Sequence, residues 1–336
     1  MTSREKVRRI FARKGGGEGA LWTGHPNDHI LPILGEAWNI PPEREAVYQY
    51  MDDDCRWFMA ERCYKHPEGM GLFDASYGTR RDTLSAEGCF ADCEKPSDLD
   101  FYPWPEVKYL DFTEIYRQID AFQDKMVFTG FWCPFFHQMA DFFGMENYFI
   151  KMYENPELIE AATNQIVDFY VEANDLFFQG LGDRADAMFF GNDFGTQLDL
   201  FVSPDAFRKF ILPSFKRLTA VGKKHGKFVM LHSCGSIYRI IPDLIEAGVD
   251  VLHPIQAQAA GMDADSLSQY KNDLAFLGGI DAQSFFVDST PDEIKAEVRR
   301  VRSILGPNLV VSPSHEEILP NVPPENLIAM RDAARE

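Results

Sequence analysis

Positive charge is scarce in this chain. Its 336 residues carry 33 lysines and arginines against 52 aspartates and glutamates, a net charge of -19. Such a balance repels nucleic acid and anionic membrane surfaces. It fits an enzyme with a small substrate, or a partner bearing basic patches. Long apolar runs are missing too: no window approaches the roughly 18 apolar residues of a membrane span. The N-terminus, Met1-Thr-Ser-Arg-Glu-Lys-Val-Arg-Arg9, is polar and lacks an apolar signal-peptide core, so a cytoplasmic protein is expected. The six cysteines sit at irregular spacings, which argues against a disulfide framework and for a reducing compartment. Cys89 and Cys93 have no second pair with which to complete a zinc knuckle. There is no internal repeat and no low-complexity tract. The glycines of Arg13-Lys-Gly-Gly-Gly-Glu-Gly19 follow no strand and precede no Gly-Lys-Ser/Thr. They read as a flexible joint after a short helix, not as a phosphate loop.

What is present is a rhythm. Apolar runs at Met126-Val-Phe-Thr-Gly, Ala185-Asp-Ala-Met-Phe-Phe-Gly, Phe228-Val-Met-Leu-His, Asp250-Val-Leu-His, Leu274-Ala-Phe-Leu-Gly-Gly-Ile and Leu309-Val-Val-Ser-Pro read as strands. Helical patterns lie between them. One amphipathic region runs from about Glu146 to Gln179, and another helix covers Ile237 to Ala247 before Gly248. Ser203-Pro-Asp and Thr290-Pro-Asp-Glu are helix starts, the second helix running to about Leu305. Strands alternating with helices predict a parallel sheet, and this many units favour a barrel. Ala20-Leu-Trp-Thr is the candidate first strand. The stretch from there to Met126 is too long for a loop, so inserted helices are expected, followed by an irregular connection over residues 92–111. The expectation is one α/β domain over residues 1–336, a (β/α)8 TIM barrel with N-terminal helical additions. Residues 1–110 hold the helices, first strand and long connection, and 111–336 the main repeats.

Sites of such folds form at the carboxyl ends of the strands. Read off in order, those ends carry Trp132 and His137, Asn192 and Asp193, His232 and Cys234, His253 and Gln256, Asp281, then His315 and Glu316. Five of the eight histidines (His25, His137, His232, His253 and His315) fall there. His232 and Cys234 are the sharpest pair. Two residues apart at the end of a strand, they present imidazole and thiolate to one side, half of a tetrahedral zinc site. His315 and Glu316 are the candidates for the rest. Each residue also has a plainer reading. A lone strand-end histidine is usually a hydrogen-bonded structural residue, a lone cysteine a small buried hydrophobe, and Asp193 and Asp281 equally serve as helix caps. The cluster Phe128, Phe131, Trp132, Phe135 and Phe136 is core by default, part of it able to line a pocket for a flat substrate.

The segments Pro103-Trp-Pro105, Gly191-Asn-Asp-Phe-Gly-Thr-Gln197, Ser203-Pro204, His232-Ser-Cys-Gly235, Gly248-Val-Asp-Val-Leu-His-Pro254, Gly278-Gly-Ile-Asp281 and Pro320-Asn-Val-Pro-Pro-Glu-Asn326 carry a resemblance. The chain resembles the uroporphyrinogen decarboxylase-like superfamily, within it the branch of corrinoid-dependent zinc methyltransferases, most closely from about Tyr102 to Met330. The resemblance implies a (β/α)8 barrel with its site at the carboxyl face. Porphyrinogen decarboxylases carry N-terminal arginines that clamp carboxylates; the matching stretch here, Leu21-Trp-Thr-Gly-His-Pro-Asn-Asp28, has none. The methyltransferase branch pairs His-x-Cys with a distant C-terminal cysteine. His232 and Cys234 match the pair, but the third position falls near Ser314-His-Glu-Glu317, without cysteine. A ligand change to His315 or Glu316 gives a harder zinc site, suited to an oxygen-bearing substrate such as a methyl ether.

The resemblance thus implies a zinc-dependent methyltransferase that passes a methyl group from a small methoxylated or methylated substrate to a corrinoid on a partner protein. Asp193 and His253 are the expected catalytic groups. Trp132, His137, Asn192, Gln197, Gln256 and Asp281 are the expected substrate contacts. The alternatives are a metal-independent decarboxylase or lyase working through Asp193 and His253, and a non-catalytic binding barrel.

Overall fold

The computed structural model describes residues 1–78 and 86–336. The strands are β1 (His25–Pro26), β2 (Cys55–Met59), β3 (Met126–Gly130), β4 (Ala187–Gly191), β5 (Phe228–His232), β6 (Val251–His253), β7 (Ala275–Ile280), β8 (Leu309–Pro313) and β9 (Glu317–Ile318). Strands β2 to β8 form one parallel sheet in chain order, and β3 to β8 are the six strands expected from the sequence. β2 was not expected. Its Arg56 interrupts the apolar run, yet it lies buried, ion-paired to Glu45 and packed over the rings of Tyr48 and Phe122.

The gap between β8 and β2 is spanned by residues 20–23. The Trp22 N–H donates to the Val311 carbonyl at 3.0 Å, and the Val311 N–H returns to Ala20 at 2.9 Å. On the other side the Asp54 N–H donates to Leu21 at 3.0 Å. The expected first strand is therefore the eighth stave, and the fold is a TIM-barrel-like α/β barrel. Helices Leu31–Trp38 and Arg44–Tyr50 precede β2, as the length of that stretch required. The amphipathic region from Glu146 is two helices, Met145–Glu154 and Pro156–Leu181, because Pro156 has no N–H to continue the first. Helix Pro291–Leu305 starts on a capping box between Thr290 and Glu293. Among the described residues, no helix is long and apolar enough to cross a membrane.

Side chains alternate along each strand, so every second residue points to the barrel axis. Cys55, Met126, Phe128, Ala187, Phe189, Met230, Val251, Ala275, Leu277 and Val310 fill that interior with Trp22. Their neighbours Val127, Met188, Phe190, Val229, Leu231, Leu252 and Phe276 face outward under the helices. Helix Ser3–Phe11 stoppers the amino end, with Val7, Ile10 and Phe11 in the interior cluster.

Charge pins the stopper. Arg4 and Arg8 both pair with the buried Asp186, and Lys6 meets Asp54 at 2.7 Å. Asp54 also accepts the Leu21 N–H at 2.9 Å and pairs with Arg335 at 2.7 Å. One buried carboxylate thus joins the first helix, the closing stave and the last helix. Asp54→Ala leaves two cations and an amide without their acceptor, and we expect a loss of about 3 kcal/mol. Urea unfolding followed by circular dichroism measures it. A loss below about 0.5 kcal/mol would mean that closure does not depend on this carboxylate.

Candidate metal centre at the carboxyl face

The inward register that fills the barrel continues to its carboxyl end. Phe228, Met230 and His232 share one face of β5; Val251 and His253 share one face of β6. His232 and His253 are direct partners in the sheet, and Gly191 of β4 is partner to His232 on the other side. Glycine is required at 191, because a Cβ there would lie 2.2 Å from the Trp132 ring. Trp132 therefore leans across the strand end and meets His232 at a centroid distance of 5.1 Å.

The two edges of the His232 ring have different company. At Nδ1, His253 Nδ1 lies 3.0 Å away and Glu316 Oε2 lies 3.3 Å away. At Nε2, Cys234 Sγ and Asp193 Oδ1 each lie 3.4 Å away. Asp193 Oδ1 also accepts the Cys234 N–H at 2.7 Å, and Asp193 Oδ2 is 3.7 Å from His137 Nε2. Gly235, with φ +81°, turns the chain directly after Cys234, and a Cβ there would strike the Gly195 carbonyl at 2.1 Å.

Electrostatics separates the two histidines. Burial opposes a charge on His232, but Glu316, Asp193 and Cys234 outweigh it and hold its pKa well above the ordinary value. Burial and then the charge of His232 push His253 well below. Of the two rings, His232 is therefore the one that favours the charged form, and His253 the neutral one. Burial works against the Asp193 carboxylate, yet the hydrogen bond and charge of His232 win and bring it down to about 2. Burial raises the Cys234 thiol against the opposing pull of His232, and burial lowers His137.

The donor set fits a zinc ion. Ligand atoms held tetrahedrally at about 2.0–2.3 Å from a metal lie about 3.3–3.7 Å apart. Both contacts at His232 Nε2 have that length, and the ligand atoms of Asp193, His232 and Cys234 all lie within 4.8 Å of one another. Glu316 Oε2 is buried with no hydrogen-bond partner, facing His232 from the far edge. Two carboxylates and a thiol around one imidazole form an environment for a cation.

Other strand-end residues are placed differently. His315 is half exposed, with its ring 6.3 Å from that of His232, and its Nδ1 accepts the Glu317 N–H. Asn192 is spent on the Phe136 N–H and the Cys133 carbonyl. Gln256 accepts the Gly235 N–H at 2.6 Å. Asp281 takes backbone N–H groups of Gln283, Ser284 and Phe285, so it caps the loop after β7. Gln197 is exposed on the rim.

Sequence reasoning missed Glu61, just beyond the unexpected β2. Its Oε1 accepts the Trp132 N–H, and its buried Oε2 has no partner. Desolvation lifts its pKa from 4.5 to about 7. With the folded value raised, the unfolded chain loses this proton first. The stability it contributes is full at acidic pH and falls as pH rises to about 7. Glu61→Gln should therefore gain stability relative to the parent between pH 5 and pH 8. Thermal unfolding of both proteins across that range checks it, and a difference that does not change with pH would place this carboxyl in water.

Comparison with known proteins agrees with the fold. No curated protein matches the chain in sequence. A methyltransferase from Methanosarcina mazei superposes with a TM-score of 0.72 at 17% identity, covering 99% of this chain and 98% of its own. A protein from Listeria monocytogenes assigned as a vitamin-B12-independent methionine synthase gives a TM-score of 0.45 at 10% identity, over 96% of this chain and 95% of its own. The uroporphyrinogen decarboxylase (URO-D) family matches residues 91–336, which include every strand from β3 onward and all of the residues gathered around His232. With the barrel and its carboxyl-face site in place, the chain belongs to the uroporphyrinogen decarboxylase family.

Proposed function

We propose that the protein is a zinc-dependent methyltransferase that moves a methyl group from a small methoxylated or methylated substrate to a corrinoid carried by a partner protein. The observation that carries this reading is the convergence of Cys234 Sγ and Asp193 Oδ1 on His232 Nε2, at 3.4 Å each. The likeness in fold to a methyltransferase supports it.

On this reading His232, Cys234 and Asp193 hold the metal. Of the two ligands anticipated near residue 315, Glu316 faces the opposite edge of the imidazole. It fits a supporting role instead, a carboxylate that orients the ligating ring and makes it a stronger donor. His253 acts through the same Nδ1 atom and so positions His232. Zinc, when bound, supplies a Lewis acid for the oxygen or sulfur that bears the methyl group. Trp132 offers a flat apolar wall beside it, and His137 lies within reach of Asp193. Asn192, Gln256 and Asp281 shape the loops that carry these groups.

A second reading rests on a different property of the same residues. Without metal, His232 is a buried imidazolium held among acids, and such a group can donate a proton in a decarboxylation or other lyase reaction.

Metal content decides between them. Protein purified without chelators should hold about one zinc per chain. His232→Ala, Cys234→Ala and Asp193→Ala should each lose it, while His315→Ala keeps it. Retention in Asp193→Ala with loss in His315→Ala would move the third ligand to His315. Full activity after complete removal of zinc, lost in His232→Ala, would reject the metal mechanism and leave the lyase; full activity after His232→Ala with Cys234→Ala would reject both.

A further inference from the structure

A pocket of about 330 Å³ opens beside the site, at the carboxyl end of β2. That volume suits a small ligand or one end of a larger one. Its walls include Trp57, Phe58 and Ile115, and its basic residues are Arg44, Arg62 and Lys65. Arg44 is engaged, donating to the Pro26 carbonyl and pairing with Asp28. Arg62 and Lys65 have no ion pair among the described residues, in a chain of net charge -19. Of the acids in the lining, Asp111 feels the charge of Lys65, and Glu114 is taken by a cation outside the pocket. Asp111 accepts the Thr113 N–H, and Glu114 binds Arg117 and Gln118. The field of the cations reaches His25, which burial, then Arg44 and Arg62, bring down to about 4. His25 therefore adds no charge to the pocket at neutral pH.

A line of rings leads from this pocket to the metal ligands. His25 meets Trp57 at 5.9 Å, Trp57 meets Trp132 at 5.4 Å, and Trp132 meets His232 at 5.1 Å, all between ring centroids. Trp57 belongs to both ends, as a wall of the pocket and as neighbour of Trp132.

We infer that the substrate is a flat apolar monocarboxylate, its carboxylate held by Arg62 and Lys65 in the pocket and its body lying along Trp57 and Trp132. That its reacting group then sits at His232, Cys234 and Asp193 rests on the function proposed above; the carboxylate subsite does not. Arg62 and Lys65 together outweigh Asp111 beside the aromatic wall, and that surplus of positive charge selects against a neutral analogue of the same shape.

Quenching of tryptophan fluorescence tests this with benzoate, 4-methoxybenzoate and the neutral 4-methoxybenzyl alcohol as probes. The parent protein should bind either carboxylate about tenfold more tightly than the alcohol, a preference that shrinks with added salt. In Arg62→Gln with Lys65→Gln the preference should vanish while affinity for the alcohol stays. Both residues are exposed, so the fold should survive, and the retained alcohol affinity reports it. The same titration on zinc-free protein and on His232→Ala should keep the preference. Loss of methyl transfer with the preference intact would then count against the proposed reaction and not against the subsite. The subsite is overturned by a preference that survives the double substitution. It is equally overturned by a preference lost with zinc or with His232, which would put the carboxylate on the metal. No binding of either carboxylate up to about 10 mM would overturn it too.

Discussion

A closed barrel leaves no choice about its interior: every second residue of every stave points to the axis, and that column must be filled. Here Trp22, Phe128, Phe189, Met230 and Leu277 fill the middle, and Val7, Ile10 and Phe11 plug the amino end. The inward positions one step nearer the carboxyl end are Trp57, Gly191, His232 and His253. The apolar filling stops there, and the polar site begins on the same register. A shift of one residue in β5 would send His232 outward under the helices and bring Leu231 to the axis. The chemistry of the site therefore depends on the same alternation that builds the core, and on the buried Asp54 that closes the ring of staves.

That origin explains why the two histidines differ despite equal register. Both are buried, and burial alone disfavours charge on each. The loops above decide the outcome. The loop after β4 brings Asp193, the turn after β5 brings Cys234 and the loop after β8 brings Glu316, and all three converge on His232. His253 meets His232 on one side and packs against Trp22 and Phe189 on others, so burial keeps it neutral. In the interior of a protein, an imidazole facing three acidic groups is stable only with a cation at its centre, whether a proton or a metal.

Much of this was legible in the sequence. Strands β3 to β8 are short apolar runs between helix signals, and a strand buried on both faces writes itself that way. The His232 and Cys234 pair was legible because both fall at the end of such a run. β2 was not, since Arg56 looks like a surface residue until its partners Glu45, Tyr48 and Phe122 are in place. With β2 hidden, Trp57, Glu61 and Arg62 had no address. Strand ends also indicate only which residues reach the carboxyl face. They carry no information on which edge of an imidazole a loop will approach. For that reason the sequence reading set Glu316 among the metal ligands and Asp193 among the catalytic groups, while in the fold Asp193 sits at Nε2 of His232 beside Cys234 and Glu316 at the opposite ring nitrogen.

The division between the two nitrogens bears on the chemistry. A thiolate, a carboxylate and an imidazole together carry two negative charges, which a divalent zinc neutralises. Replacing the carboxylate by a second thiolate would leave the charge unchanged but make the site softer and favour sulfur substrates. On the proposed function Glu316, at the Nδ1 edge of His232, would add its charge without occupying a coordination position. On the proposed function, too, a zinc held by this donor set would stabilise a developing alkoxide or phenoxide better than a thiolate, since oxygen anions are the harder ligands. On the same reading, the ring wall from Trp132 to Trp57, ending at Arg62 and Lys65, would suit the body of an aromatic ether more than that of a small alcohol. The donor atoms at one end and the charge at the other thus constrain the same molecule from two sides.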